Sequence, residues 1–193
     1  NTKNYGLPQN RERVFLIGIR NDLPNDFVFP KEIPLELRIK DLLEENVDEK
    51  YYLSEKIIDF YIRNSEKNKI KGNGFRFNPT DGNVIAKAIT TMSGSRMEDN
   101  YIKESIDKIR KLTPLEAFRL QGFPDDYIKP VSNSQLYKQA GNSISVPVVE
   151  NILKILLKTN WNTKKNYYIC LWNTGLKMVQ EFTMMVLIKK VIS

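Results

Sequence analysis

Arg11 and Arg13 stand two residues apart in Gln9-Asn10-Arg11-Glu12-Arg13, directly before an apolar run at residues 14–20 (VFLIGIR). A guanidinium is always charged and offers a rigid fork of donors, so it suits an acceptor that gathers negative charge. The plain alternative is an exposed charged loop before a strand. A second group is Thr90-Thr91-Met92-Ser93-Gly94-Ser95-Arg96. There a glycine-bearing loop ends in an arginine, and its plain reading is an ordinary strand with a glycine turn. Arg76 stands between Phe75 and Phe77. The third group is Gly141-Asn142-Ser143, either a ligand-facing turn or a helix stop, because Asn favours turns. No histidine is present, and Cys170 is the single cysteine. That removes Ser-His-Asp hydrolysis, Cys-His proteolysis and both His-bearing and Cys-only zinc sites, so no metal is expected. One cysteine allows no internal disulfide and fits a reducing compartment.

The elements that position these groups follow from periodicity. Residues 14–20 read as a buried strand and 84–91 (VIAKAITT) as another. Residues 38–45 and 55–63 have helical periodicity, and 71–83, rich in Gly and Asn, read as turn. Residues 113–121 give the clearest helix. Thr113 is the N-cap, Pro114 takes the first helical position, Glu116 completes a capping box, and Gly122 ends it. A short helix at 135–140 ends at Gly141. Ser145 and Pro147 open another, with Val148, Ile152, Ile155 and Leu156 on one stripe. Residues 167–172 and 177–188 read as two strands around a turn at 173–175.

The chain has 193 residues, 41% of them hydrophobic, which is globular composition. No apolar stretch is long enough to span a bilayer, so no membrane is expected. The net charge is +7. Residues 158–193 hold six Lys and one Glu, and residues 63–111 hold eleven basic and six acidic side chains. Each segment is therefore +5. Such a bias suits a polyanion, or simply a solvated face.

Three blocks, in order, resemble the late motifs of the DNA cytosine-5 methyltransferases. The first is residues 6–13 (GLPQNRER), matching a Gln-x-Arg-x-Arg pattern before a strand. The second is residues 110–125 (RKLTPLEAFRLQGFPD). The third is residues 139–144 (QAGNSI), followed by the helix that carries Val148. The resemblance covers residues 1–158. The family's glycine-rich cofactor loop, Pro-Cys nucleophile loop and Glu-Asn-Val loop precede these motifs and do not occur in this sequence. Cys170 follows the last motif with no Pro before it and cannot inherit the nucleophile's role.

The resemblance implies an α/β fold: the carboxyl-terminal part of an S-adenosylmethionine-dependent, Rossmann-like domain, with a small, mixed, strand-rich target recognition domain. Residues 1–21 would end the catalytic domain and 22–111 would form the recognition domain. Residues 112–158 would return to the catalytic domain, and 159–193 are unassigned. In this family a cysteine thiolate adds to cytosine carbon-6, and carbon-5 then takes a methyl group from S-adenosylmethionine on a flipped base. By resemblance Arg13 would serve cytosine O2, and Arg11 the phosphate near the flipped nucleotide. Thr90 would bond that phosphate, and Ser93, Ser95 and Arg96 would approach base edges, with Arg76 as a second reader. Gln9 would bond DNA or brace its own loop. Asn142 and Ser143 would lie beside the cofactor, most of which the amino-terminal half would bind. Arg119 would make structural hydrogen bonds, and Phe123, Pro124 and Tyr127 would pack a core or hinge.

The expected partners are double-stranded DNA and the enzyme's amino-terminal half, in cis or as a separate subunit. The expected setting is the cytoplasm, at the nucleoid, in restriction-modification, and the chain alone is expected to be inactive. The alternative is a non-catalytic DNA-binding specificity module or a decayed gene remnant. The first residue, Asn1, reads as internal to a longer polypeptide.

Overall fold

The computed structural model describes residues 1–19, 26–127 and 130–158, and the backbone of 169–170 and 185–186. A 3-10 turn at Thr2–Asn4 precedes the short strand β1, Gln9–Asn10. Two more 3-10 turns, Ile39–Leu42 and Glu49–Tyr51, lead to helix α1, Glu55–Ile70. Strands β2 (Ala86–Lys87), β3 (Tyr101–Lys103) and β4 (Ile109–Lys111) follow. Then come helices α2 (Pro114–Arg119), α3 (Asn133–Asn142) and α4 (Val146–Lys158). The last pieces, β5 (Ile169–Cys170) and β6 (Met185–Val186), pair antiparallel. The rest of the two strands expected around residue 174 lies outside the described residues. Among the described residues no helix is long and apolar enough to cross a membrane.

Two pairings matter for the site. β1 lies parallel to β2, Gln9 opposite Ala86 and Asn10 opposite Lys87. β3 and β4 are antiparallel, with Tyr101 opposite Lys111. Packing falls into two clusters. Ile39, Ala86, Ile89 and Ile102 share one core with Leu112, Phe118, Leu136 and Tyr137, so α2 and α3 pack onto residues 39–102. Val148, Ile152 and Leu156 of α4 form the other, against Tyr5, Phe15, Ile17, Ile19 and Phe27. Their spacing of four puts them on one helix face.

α2 forms where capping chemistry dictates. Thr113 Oγ1 accepts from Glu116 N at 3.2 Å, Glu116 Oε2 accepts from Thr113 N at 2.8 Å, and Pro114 takes the first position. Arg119 forks onto Asp125 at 2.8 and 2.6 Å and reaches the Leu42 carbonyl at 3.1 Å, the structural role expected for it. Phe118, Phe123 and Tyr127 form a mutual ring cluster.

Several expected elements differ. Residues 15–19 form no ladder among the described residues. Phe15, Ile17 and Ile19 pack on α4, whereas Val14 and Leu16 are half exposed. The helix expected at 38–45 shrinks to a 3-10 turn. The amides of Ile39 and Lys40 donate instead to the carbonyls of Val84 and Gly82, at 3.1 and 2.9 Å. α1 runs on past Arg63 to Ile70. The strand expected at 84–91 is confined to β2, because side chains of Gln9 and Arg11 take the Ile89 amide and carbonyl. Gly141 lies inside α3 and does not end it.

Candidate functional site

The Gln9–Arg13 segment meets the other two groups through side chains. Gln9 is fully buried: Nε2 donates to the Leu120 carbonyl at 2.6 Å, and Oε1 accepts from the Ile89 amide at 3.0 Å. These bonds tie Gln9 to two distant segments and not to its own loop. Arg11 is 3% exposed. Its Nη1 donates to the Ile89 carbonyl at 2.7 Å, and Nη2 to the carbonyls of Gly141 and Ser143 at 2.9 and 2.8 Å. Arg11 therefore does not reach outward to a phosphate. Three carbonyls from two distant segments hold it inside, and its Nε is buried without an acceptor. Burial, and secondarily the charge of Arg13, lower its pKa to about 10.

Arg13 is half-buried. Its Nη1 donates to the Glu12 carbonyl at 2.6 Å, and burial lowers its pKa. It lines a cavity of about 270 Å³ with Arg11, Tyr5, Phe15, Phe29 and, from the far end of the chain, Ile144 and Ser145. Ser145 Oγ lies 2.8 Å from the Thr2 hydroxyl and donates to Gln121 Oε1 at 3.0 Å, which fixes that wall. Beside it, Asn142 is exposed, while the Ser143 hydroxyl donates to the Ala140 carbonyl at 2.7 Å.

The Thr90–Arg96 segment is a tight turn. The Thr90 amide donates to Ser93 Oγ at 3.0 Å, and Thr90 Oγ1 accepts from the Met92 amide at 3.3 Å. Ser93 is buried, whereas Ser95 and Arg96 are exposed. Arg76 is exposed too, and its neighbour Phe77 packs on Tyr101, with ring centroids 5.2 Å apart. The Tyr101 hydroxyl donates to the Arg96 carbonyl at 2.9 Å. Ser65 adds a second link, accepting from Phe77 N at 2.6 Å and donating to Met97 Sδ at 3.6 Å. The segments of Arg76 and Arg96 thus share one support.

The model of the C-5 cytosine-specific DNA methylase family matches residues 1–158. This chain belongs to that family. Among curated relatives, the type II methyltransferase M1.ScrFI of Lactococcus lactis subsp. cremoris is 38% identical over 169 residues, 84% of this chain and 43% of that protein. M.HpaII of Haemophilus parainfluenzae is 39% identical over 178 residues, 82% of this chain and 49% of that protein. The chain spans about half the length of the curated relatives it matches. A solved Spodoptera frugiperda DNMT2 variant aligns with a TM-score of 0.61 at 20% identity, over 81% of this chain and 55% of that one. The fold is therefore the α/β, Rossmann-like methyltransferase fold.

In this C-5 methylase chain the sequence hid several supports of the site. Asp99 Oδ2 accepts from the amides of Ser95 and Arg96 at 3.1 and 2.9 Å. Arg110, 1% exposed, forks onto Glu116 with two bonds of 2.9 Å and reaches Glu104 at 2.6 Å. Nothing local marks these residues, apart from the capping-box position of Glu116.

Proposed function

We propose that this chain is the carboxyl-terminal part of a type II DNA cytosine-5 methyltransferase acting in restriction-modification. Residues 90–96 read double-stranded DNA, with Arg76 beside them, and Arg13 serves a flipped cytosine. One observation carries this reading. Arg11 ties the Gln-x-Arg-x-Arg segment to both the recognition turn and the Gly-Asn-Ser turn, so the three groups sit around one point. A pure binding module has no need for Arg13 to face a cavity walled by Ile144 and Ser145.

Arg13 would donate N–H to cytosine O2, where charge builds as the amino-terminal half's thiolate adds to carbon-6. Partial burial strengthens such a donor by removing competing water. S-adenosylmethionine would supply the methyl group. The residues present fit one polar contact to it. The Asn142 amide is exposed with no partner among the described residues, while the Ser143 hydroxyl is taken up by α3. Residues 22–111 form the recognition domain, buttressed by α2 and α3. Residues 1–21 and 112–158 belong with the catalytic domain, and the protein works at the nucleoid.

The test is a tritiated-methyl transfer assay on mixed-sequence DNA. The 193-residue chain alone should transfer nothing, because it lacks the nucleophile's motif. Adding the amino-terminal half from the same gene should restore methylation. Methylation by the chain alone, or a well-folded pair that does not methylate, overturns the reading.

A further inference from the structure

We propose that Asp99 is the positioning residue that sets the base preference of Arg96; this rests on residues 90–96 reading DNA. Both backbone polar groups of Arg96 are held. Its amide donates to Asp99 Oδ2 at 2.9 Å, and its carbonyl accepts from the Tyr101 hydroxyl at 2.9 Å. The same carboxylate oxygen takes the Ser95 amide at 3.1 Å. Two adjacent amides on one oxygen fix the backbone of residues 95–96, and with it the direction in which the Arg96 side chain leaves. That side chain is exposed, and its guanidinium has no partner among the described residues. The hydroxyls of Thr90 and Ser93 are engaged inside the turn. Arg96 is therefore the long donor this turn presents outward.

The loop that Asp99 closes is itself seated firmly. Asn100 accepts from the Lys87 amide at 2.9 Å and donates to the Lys87 carbonyl at 3.0 Å, pinning the loop to β2. Gly94, at φ +78°, lies against the Lys111 stem, where an added Cβ would stand 2.8 Å from Lys111 Cδ. A bidentate contact to a base edge tolerates only about 0.5 Å and 10–20° of misplacement. With both flanks pinned, the backbone freedom left at Arg96 is the short segment that Asp99 holds.

The test uses the full chain and a pool of DNA duplexes with a randomised core. A preferred duplex is selected, and its affinity is compared with duplexes changed at single base pairs. Arg96→Ala should lower discrimination at one base pair by roughly tenfold. Asp99→Ala should lower it at the same base pair by a similar factor. The double variant should lose no more than either single one, as expected when two residues act as one unit. Asp99→Asn, which keeps shape and one acceptor, should retain part of the discrimination and guards against misfolding in the alanine variant. Wild-type discrimination in both Asp99 variants, or losses that multiply in the double variant, would overturn the proposal alone. A wild-type chain that selects no sequence would overturn the recognition reading and the proposal together.

Discussion

Gly141 and Thr90 meet backbone to backbone: a Cβ on Gly141 would stand 2.3 Å from the Thr90 carbonyl carbon and 2.2 Å from the Thr91 amide nitrogen. Arg11 straddles the same junction, donating to the carbonyls of Ile89 and Gly141. The turn that displays Arg96 therefore rests directly on the last turn of α3, one residue before Asn142. Whatever moves one moves the other, because the Gly141 contact is backbone against backbone and has no flexible side-chain end that could yield.

Gly141→Ala should accordingly destabilise the chain by about 3 kcal/mol, the upper range for forcing one carbon into a packed site. Gly18→Ala, where an added Cβ meets nothing within 4 Å, should be near neutral. Urea midpoints of the two variants check this. Equal midpoints would mean that α3 and the Thr90–Arg96 turn are not in contact.

The two arginines should separate stability from chemistry. Arg11→Ala strips donors from three carbonyls and should cost at least about 3 kcal/mol. Arg13→Ala loses one local bond among the described residues, and its urea midpoint should hold. In the enzyme reconstituted with its amino-terminal half, however, turnover should drop by about a hundredfold, as when one charge-stabilising donor is removed. Normal turnover in Arg13→Ala would remove it from the chemical step.

How much of this was legible in the sequence depends on distance along the chain. The α2 cap needs only Thr113, Pro114 and Glu116, so it could be read by spacing alone. Gln9 and Arg11 could not be placed, because their partners lie 78 to 132 residues away. A buried arginine among carbonyls looks, in sequence, the same as one facing phosphate. Gly141 reads as a helix stop for a similar reason. Glycine serves both a chain reversal and a close approach, and only the position of Thr90 decides between them. The overlong strand at 84–91 fails where the side chains of Gln9 and Arg11 replace a neighbouring strand.

Arg110 and Glu116, each 1% exposed, make a buried pair whose removal should be asymmetric. Glu116→Ala leaves a buried guanidinium with Glu104 as its one remaining carboxylate among the described residues and also breaks the α2 cap, so it should cost about 3–5 kcal/mol. Replacing the two together, Arg110→Met with Glu116→Leu, should cost less than Glu116→Ala alone, because no buried charge is stranded. Urea unfolding of the two variants measures it, and a double variant worse than the single one would show that the pair stabilises the fold outright.

Asp99 should leave a signature in the pH dependence of stability. Burial raises its carboxyl above the ordinary 3.8, against the pull of the amides of Arg96, Ser95 and Gly94. A raised carboxyl in the folded state means that the folded chain binds more proton than the unfolded chain between the two pKa values. Stability attributable to Asp99 is then greatest at low pH and falls as pH rises from below 3.8 through the raised value. Above that window the ionised group is a constant cost. Asp99→Asn cannot titrate, so the difference in unfolding free energy, variant minus wild type, should increase across the window and then level off. The sign is opposite to that for Asp125, whose carboxyl the bond from Arg119 lowers. Urea unfolding from pH 3 to 7 gives the curve. A difference that decreases with pH would mean that the amide bonds outweigh burial at Asp99, and that its ionised form adds to stability while it holds Arg96 in place.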